Sequence, residues 1–330
     1  MHTPASFRPI IRLNPLKAGK DMARGFKLAA VLLNILLLSQ LFAGCRVPAR
    51  KPAAQEPIIS LYVNQTGEVK RMKIEDYLPG VVAAEMDPTW PLNALAAQAI
   101  LARTFTMKKI QEGGVKAHGT DASTSVEEFQ AYDPTKINDN VRRAVEMTRG
   151  EVVKYNGNYI NAWFYASGGS RTASSAIEGL NFRSEPAPYI QSVPDPGMAI
   201  TTAENKSWTA SFSNAELAAA VRKITGQDPG PITSVRVAAR GPSGRATQLR
   251  IGRVTVDVPA LRLALGNDRL RSTLITGITT SGGRVTFKGE GYGHGVGMSQ
   301  WGARALAQQG KSPQDIIKYF FKDIQLVKAW

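Results

Sequence analysis

The chain has little cysteine and little histidine: Cys45 is its only cysteine, and three of its 330 residues are histidine. A single cysteine excludes a disulfide within the chain and any cysteine-rich zinc site. The sequence also has no internal repeat and no run of basic residues interleaved with aromatic ones. We therefore expect no nucleic-acid partner, although the net charge of +15 would by itself suit one.

No apolar run is long enough for an ordinary membrane span, which needs ~20 residues. The nearest is residues 28–44, which two polar residues interrupt and which Arg24 and Lys27 precede. A basic start, a short apolar run and small residues before a break are typical of a secretory signal peptide. We expect residues 1–44 to be such a signal and the rest of the chain to be exported.

The apolar run ends in LFAGC, which resembles the site at which bacterial lipoproteins are cleaved before a lipidated cysteine. Phe42 stands where that pattern usually has leucine, so the alternative is an ordinary signal peptide without a lipid. We expect lipidation of Cys45 and a membrane anchor through that lipid. Residues 45–57 hold three prolines and no apolar pattern, which is typical of a tether ahead of a domain over residues 58–330.

The charge of the exported part agrees with a location outside the cytoplasm. The signal holds six of the 41 basic residues and one of the 26 acidic ones, which leaves +10 for the remainder. A basic excess suits an anionic polymer or an anionic membrane surface. Together with the export signal, it favours the cell wall or the membrane surface, facing the periplasm or the cell exterior.

The pattern of elements favours the α+β class: hairpin-rich mixed sheets with several helices in a single compact domain. Turn residues between apolar runs predict hairpins, for example at Asn156-Gly157. Helices are predicted where apolar residues recur every three or four positions. The predicted helices cover about residues 75–86, 91–111, 139–148, 213–226, 258–266, 299–309 and 312–320, and the predicted strands fall within 58–74, 151–167 and 232–290.

Glu85 is a carboxylate on the apolar face of a predicted helix. Tyr77, Val81 and Glu85 are spaced by four residues and share that face. Burial and the negative end of the helix dipole would both raise the pKa of Glu85. A carboxyl group that is protonated near neutrality suits a general acid. The alternative is a structural Glu85 that pairs with an arginine or emerges at the helix end.

The next predicted helix is apolar on all sides except at Gln98, which indicates that the helix is buried. Arg103 follows five residues later. Five residues turn the helix by one full revolution and about 140° more, so the two side chains point to different sides. We expect one of them to face Glu85, the alternative being an Arg103 that snorkels at the helix end.

A glycine-rich segment, EGYGHGVGMSQWGARAL over residues 290–306, holds five glycines around His294. Glycine is kept where the backbone needs unusual dihedrals or a close approach. The segment is therefore either a tight structural loop or the wall of a site. His294 is correspondingly a hydrogen-bond donor in that site, a partner of Glu85, or a structural histidine.

Six segments resemble, in order, the stage II sporulation protein D family, whose members are also called amidase enhancers. They span about residues 68–320 and read EDYLPGVVAAEM, LNALAAQAILARTFTM, STSVEEFQAY, WFYASGGSRT, SGR and GYGHGVGMSQWGARALAQQG. The resemblance implies a periplasmic or cell-surface protein that acts on peptidoglycan. It further implies a lytic transglycosylase that cleaves glycan strands from which an amidase has removed the stem peptides.

The resemblance gives Glu85, the glutamate of the Glu-Met pair, the role of catalytic acid. Glu85 would protonate the glycosidic oxygen and then take the proton of the 6-hydroxyl of the same muramic acid, which closes a 1,6-anhydro ring. The internal hydroxyl replaces water, so the usual second carboxylate of glycosidases is not required. Asp87 is the nearest candidate for such a carboxylate, and we expect it to be a turn residue.

The resemblance also implies a glycan groove whose walls are two glycine-rich blocks, YASGG over residues 165–169 and the segment over residues 290–306. Gln130 and Tyr132 are equally well explained by loop packing, and Trp301 either stacks on a sugar or packs in the core. Besides Gln98 and Arg103, the expected substrate-binding residues are Gln130, Tyr132, Tyr165, Ser167, Gly168, Gly169, His294, Gly295, Met298, Ser299 and Gln300.

Some members of the family carry a Cys/His zinc cluster just before the positions of Gln130 and Tyr132. Here STSVEEFQAY replaces the cluster, and His118 alone cannot build a tetrahedral site. We therefore predict no structural zinc and no other cofactor.

Three functions remain open at this point. The first is a lytic transglycosylase, with peptidoglycan glycan strands as its partner. The second is a glycan-binding protein that does not cut but recruits or enhances a cell-wall amidase. The third is an envelope scaffold whose main task is to bind partners.

Overall fold

The structure, a computed structural model, describes residues 55–330. The predicted signal peptide, Cys45 and most of the tether lie outside the described residues. Within them the fold is α+β, with nine α-helices and five small sheets, as the sequence predicted. The described residues, 55–330, cluster as one compact unit. None of the helices from residue 55 onward has the length and apolarity of a membrane-spanning helix.

A β-hairpin begins the described chain. Strand β1 (Ile58–Val63) pairs antiparallel with β2 (Glu68–Lys73), and Gly67 has a positive φ in the turn. Strand β3 (Ala122–Ser123) joins the other edge of β1 in parallel. The hairpin is the predicted one, whereas β3 has only two residues and no period that a sequence could show.

Helices α1 (Ile74–Glu85) and α2 (Leu92–Gln111) pack together in the first of two hydrophobic clusters. Pro91, the predicted first residue, occupies the N-cap position of α2, so the helix begins one residue later than predicted. Helix α3 (Asp139–Met147) packs against both helices, and its N-cap Asn138 accepts a hydrogen bond from the backbone of the first turn. All three helices were predicted to within two residues, because α1 and α3 have apolar residues at helical spacing and α2 is a long apolar stretch without proline or glycine.

The predicted turn at Asn156 and Gly157 is present, and both residues have a positive φ. It joins β4 (Glu151–Tyr155) to β5 (Asn158–Tyr159), while β14 (Gln325–Lys328) pairs with the other edge of β4. The second strand of this hairpin is therefore much shorter than the sequence suggested. The chain beyond β5 continues to the site described below.

The second hydrophobic cluster lies within residues 208–287 and joins two three-stranded sheets to two helices. Strand β7 was not predicted, although Trp208 and Phe212 point inward on it with the period of a strand. The elements are β7 (Trp208–Ser213), α6 (Asn214–Thr225), β8 (Val235–Arg240), β9 (Ala246–Ile251), β10 (Val254–Asp257), α7 (Val258–Leu265), β11 (Ile275–Ser281) and β12 (Arg284–Gly289).

Short strands bring the two glycine-rich blocks together. Strand β6 (Phe164–Tyr165) pairs in parallel with β13 (Met298–Ser299), and helix α8 (Gln300–Gln308) begins directly afterwards. The remaining short elements are α4 (Ala176–Leu180), α5 (Ala203–Lys206), α9 (Pro313–Phe320) and 3₁₀ turns at Pro134–Lys136 and Pro196–Ala199.

Candidate active site

A cavity of about 560 Å³ lies at the C-terminal end of α1. Glu85 lines it together with parts of three segments, residues 126–131, 162–166 and 292–294. Arg262 and Asn267 complete the lining from the α7 side. The cavity therefore brings together the Glu-Met segment, both glycine-rich blocks and a region that the sequence reasoning did not single out.

Glu85 is half-buried at the last position of α1. Its Oε1 accepts a hydrogen bond from the backbone N–H of Ala131 at 3.0 Å. Burial raises the pKa of Glu85 to about 6, against the opposing effects of Ala131 and Gln300. Of the described residues that line the cavity, Glu85 is the only acidic one. The direction of the shift agrees with the expectation from the sequence, and burial is its main cause.

Asp87 does not face this cavity. Its side chain is exposed, and Oδ1 accepts hydrogen bonds from the backbone and the hydroxyl of Thr89 at 2.9 and 2.8 Å. These bonds lower the pKa of Asp87. Asp87 is thus the turn residue that the sequence suggested.

The side chains of Gln130 and Tyr132 lie in different environments. Gln130 is buried and lines the cavity, and its Nε2 donates to the hydroxyl of Thr106 at 3.0 Å. Tyr132 turns away from the cavity and stacks on Tyr77, with ring centroids 5.4 Å apart. Of the two, only Gln130 contributes to the cavity lining, and its amide oxygen is buried without a partner in the described part of the chain, whereas Tyr132 packs against α1.

Arg103 does not face Glu85, and this part of the expectation is corrected. Its guanidinium is fully buried and holds Glu75 with two hydrogen bonds, Nε to Oε1 at 2.9 Å and Nη2 to Oε2 at 2.7 Å. A third bond goes from Nη1 to the backbone carbonyl of Glu151 at 3.1 Å. The reason is the length of α2, which carries Arg103 to the opposite end of α1 from Glu85.

Gln98 was also expected to bind substrate, and the structure contradicts this expectation. Its side chain is fully buried within the apolar part of α2, so a polymer cannot reach it. Neither of its amide atoms has a hydrogen-bond partner among residues 55–330. The pattern in the sequence correctly indicated a buried helix, but burial places Gln98 in the core and not in a groove.

The two glycine-rich blocks pair through their backbones. Ser167 and Tyr292 exchange hydrogen bonds of 2.9 and 2.8 Å between their N–H and C=O groups. Gly293 has φ +116°, and a Cβ there would lie 2.6 Å from the Cβ of Tyr165. A glycine is required at this position because both the dihedral and the close approach exclude a side chain.

His294 lines the cavity but does not contact Glu85. Its Nε2 lies 3.1 Å from the carbonyl oxygen of Phe164, and its Nδ1 accepts the N–H of Val296 at 3.1 Å. This pairing requires the neutral tautomer with the proton on Nε2. Burial first, and then the charge of Arg262, lowers the pKa of His294 to about 3. The structure therefore favours the structural alternative, in which His294 holds the wall of the cavity.

Four other residues of the glycine-rich blocks lie behind the wall. Ser167 is buried, and its hydroxyl has no partner within the described part of the chain. The carbonyl of Gly168 accepts from the buried Arg245 at 2.8 Å, and Gly295 packs on the same guanidinium with φ +84°. Gly169 packs against the side chain of Leu274. We expected these four residues to contact the substrate directly, but the structure places them in the scaffold behind the wall.

The start of α8 supports Glu85 from behind. Gln300 is buried, and its Nε2 donates to the backbone carbonyl of Glu85 at 3.0 Å. Ser299 caps the helix by accepting the N–H of Gly302 at 3.0 Å, and Met298 is fully buried in the first cluster. All three were expected to bind substrate, and their burial gives them positioning and packing roles instead.

Two aromatic residues have opposite roles. Tyr165 lines the cavity with its ring, 5.3 Å from the ring of His294, while its hydroxyl is buried. Trp301 packs on Trp90 at 4.8 Å, with Arg304 above both rings, and does not line the cavity. For Trp301 the core alternative is therefore the observed one.

Several residues that line the cavity had no predicted role, and three of them are informative. Ala131 contributes only its backbone N–H, so no side-chain pattern can reveal it. Tyr292 was quoted within the glycine-rich segment but given no role. Arg262 could have been found, because it occupies the apolar stripe of α7 between Val258 and Leu265.

In residues 55–330 no group of three or more histidine, cysteine, aspartate or glutamate side chains is placed to hold a metal ion. His118 stacks on Tyr62 at 3.6 Å and hydrogen-bonds Glu128 at 3.0 Å. The absence of zinc from the protein remains a prediction.

Comparison with known protein families gives two matches. The family model of the Stage II sporulation protein matches residues 62–155, which include Glu85 and Gln130. A second model, a domain of unknown function (DUF8618), matches residues 193–297, which include Arg262 and His294. The cavity is therefore lined by residues from both matched regions.

Individual relatives cover most of the chain. An uncharacterized protein of Brachyspira hyodysenteriae is 32% identical over 78% of this chain and 68% of its own length. Stage II sporulation protein D of Bacillus subtilis is 28% identical over 86% of this chain and 83% of its own length. The Bacillus subtilis protein named amidase enhancer is 29% identical over 74% of this chain, but only 39% of its own length is matched. The chain belongs to the stage II sporulation protein D family.

Proposed function

We propose that this protein is a peptidoglycan lytic transglycosylase that cleaves glycan strands stripped of their stem peptides and leaves 1,6-anhydro-muramic acid ends. The names of the relatives, stage II sporulation protein D and amidase enhancer, support a role at the cell wall. The export signal and the basic charge of the exported part fit the same location.

The observation that carries the proposal is the state of Glu85. It is the only acidic residue among the described residues that line the cavity, and its pKa lies near 6 because it is half-buried. A group with this pKa is protonated often enough near neutrality to act as an acid, and it is a strong enough base to take the proton back.

The surroundings of Glu85 suit this sequence of steps. Ala131 holds Oε1 through its backbone N–H, and Gln300 holds the backbone carbonyl of Glu85. Oε2 accepts no well-formed hydrogen bond within residues 55–330, although the Gln300 amide lies close enough to favour the charged form of Glu85, and Oε2 is the oxygen that would carry the proton. It would donate the proton to the glycosidic oxygen and then accept the proton of the 6-hydroxyl as the anhydro ring closes. No activated water and no second carboxylate take part in these steps.

A second candidate function is a glycan-binding protein that enhances or recruits a cell-wall amidase without cutting. One relative is named amidase enhancer, which is the specific observation in its favour. The same cavity would then hold a strand that stays intact. The amidase would be a partner of the protein rather than only a supplier of its substrate.

The two functions differ in what happens to a stripped strand. Full-length protein is incubated with stripped glycan and with intact peptidoglycan, and both the bound and the released material are analysed by mass. The transglycosylase releases fragments with anhydro ends, mainly from stripped glycan. A binding protein retains stripped glycan at full length, and this result would replace the first function by the second.

A further inference from the structure

Arg262 is a buried cation on the wall of the cavity that contains Glu85. Only 8% of its surface is exposed, yet it belongs to the lining. It projects from α7 on the side of the cavity that faces the second hydrophobic cluster. Of the described lining residues it is the only arginine, and no lysine accompanies it.

The guanidinium of Arg262 is oriented by backbone carbonyls. Nε donates to the carbonyl of Arg271 at 3.0 Å, and Nη2 donates to the carbonyl of Asn267 at 3.3 Å. Nη1 donates no hydrogen bond to any residue between 55 and 330. Two of the three nitrogens therefore hold the group in place, and the third remains available for a ligand.

No carboxylate of the described chain forms a salt bridge with Arg262. A buried charge without a counterion is costly, since its interactions with water are lost and no ion pair replaces them. Burial lowers the pKa of Arg262 to about 10. The positive charge of Arg271 also lowers this pKa, whereas the nearby Tyr292 and Asp268 raise it. A fixed, desolvated cation in a cavity is a suitable site for an anionic group of a ligand.

We propose that Arg262 is a specificity residue that binds the free lactyl carboxylate of a muramic acid from which the stem peptide has been removed. The proposal rests on the proposed function, because it takes stripped glycan as the ligand. In intact peptidoglycan the lactyl group is an amide and carries no charge. In a stripped strand it is a carboxylate, and Arg262 distinguishes the two through that charge.

The test compares two forms of one strand. Stripped glycan is used either with its free lactyl carboxylates or after their conversion to methylamides, which removes the charge and adds little bulk. Binding is measured with the full-length Glu85→Gln protein, so that the strand is not cut. A charge-assisted hydrogen bond predicts ~10- to 100-fold tighter binding of the carboxylate form.

The additional change Arg262→Gln is expected to abolish this preference by weakening binding of the carboxylate form to the level of the methylamide form. Arg262→Lys keeps the cation and is expected to retain part of the preference, which tests charge even if the glutamine variant is less stable. Arg253→Gln is the matched control, because Arg253 is exposed, bonds one backbone carbonyl at 3.0 Å and does not line the cavity.

Two results would overturn the role of Arg262: equal binding of both strand forms before the Arg262 change, or an undiminished preference after it. Cleavage is measured separately with an intact Glu85. If the preference depends on Arg262 but the strand is never cut, the role of Arg262 stands and the transglycosylase proposal fails.

Discussion

Of the three carboxylates of helix α1, Glu75 and Glu85 lie at opposite ends of the helix and have different environments. Glu75 accepts two hydrogen bonds from Arg103, one from the backbone of Gly150 at 2.9 Å and one from the indole of Trp330 at 3.0 Å. Glu85 has one backbone donor on its carboxylate. Glu75 is thus a saturated ion pair in the core, whereas Glu85 keeps an unsatisfied oxygen toward the cavity.

This difference predicts how stability depends on pH. The folded pKa of Glu85 is raised from 4.5 to about 6, so the folded state holds the proton more tightly than the unfolded chain. The stability that this provides is present below about pH 4.5 and is lost as the pH rises through about 6. Glu85→Gln removes the titration. Its free energy of unfolding relative to wild type is therefore expected to rise by about 2 kcal/mol as the pH goes from about 4 to about 7.5. Denaturant unfolding of both proteins at the two pH values measures this gain.

Glu216 provides a control of opposite sign. Hydrogen bonds from Ser213 and Arg269 lower its pKa to about 2, so its ionised form favours the folded state. Its contribution is present above the unfolded pKa and is lost as the pH falls through about 2. Glu216→Gln should therefore be more destabilising at the higher of the two pH values. An effect of Glu85→Gln that does not change with pH would contradict the burial of Glu85.

At the scale of elements, the cavity depends on backbone pairing between loops. The β6–β13 pair and the exchange between Ser167 and Tyr292 fix the two glycine-rich blocks against each other. The carbonyl of Gly295 also accepts the N–H of Ala173 at 2.7 Å. His294 adds two bonds to this framework, and both of them involve the backbone.

His294→Ala is expected to weaken the wall without changing the acid–base chemistry. Losing two hydrogen bonds of about 1 kcal/mol each should lower stability modestly and reduce cleavage. The inflection of the pH–rate profile near 6 should remain, because it belongs to Glu85. His294→Gln can still donate to the carbonyl of Phe164 and should retain more activity than the alanine variant. A profile that loses this inflection in His294→Ala would mean that the histidine transfers a proton.

Long periodic elements could be predicted from the sequence, and contacts between distant residues could not. Helices α1 and α6 have apolar faces, and α2 is a long stretch that is apolar on nearly all sides; Ser213 caps α6, and Gly226 ends it at the predicted residue. The two-residue strands have no period to detect. We expected Gln98 or Arg103 to face Glu85, because nothing in the sequence indicates that Glu75 is the partner of Arg103. Ala131 acts through its backbone N–H, a group that every residue except proline has. Glu85 and the glycine-rich segment stood out in the sequence because a carboxylate on an apolar face and closely spaced glycines are locally unfavourable, and the resemblance to the family implied that they belong to one groove.

For the whole molecule, the cavity lies where two matched regions meet. The first supplies Glu85 and Gln130, and the second supplies Arg262, Tyr292 and His294. Glu85, the proposed acid, and Arg262, the proposed binding residue for the lactyl group, are thus far apart in the sequence but line one cavity. A fragment limited to residues 62–155 would carry the acid without the opposite wall.

Anchoring is a property of the full chain and remains a prediction. Cys45→Ser should abolish incorporation of a labelled fatty acid and leave the protein either uncleaved or released from membranes. Wild-type protein should carry the label and should require detergent for release. Wild-type protein that takes up no fatty acid and washes off with salt would contradict the lipid anchor.

The most direct measurement of the central proposal is the mass of the fragments released from stripped glycan by wild type and by Glu85→Gln. Wild type should release fragments that end in 1,6-anhydro-muramic acid, and the variant should release at least ~100-fold fewer, since a general acid–base group contributes ~10²–10⁴-fold. The variant should still bind the strands, because the amide keeps the size of the side chain and can still accept the N–H of Ala131. Cleavage by Glu85→Gln at the wild-type rate, or wild-type protein that binds stripped glycan and never releases an anhydro fragment, would contradict catalysis by Glu85.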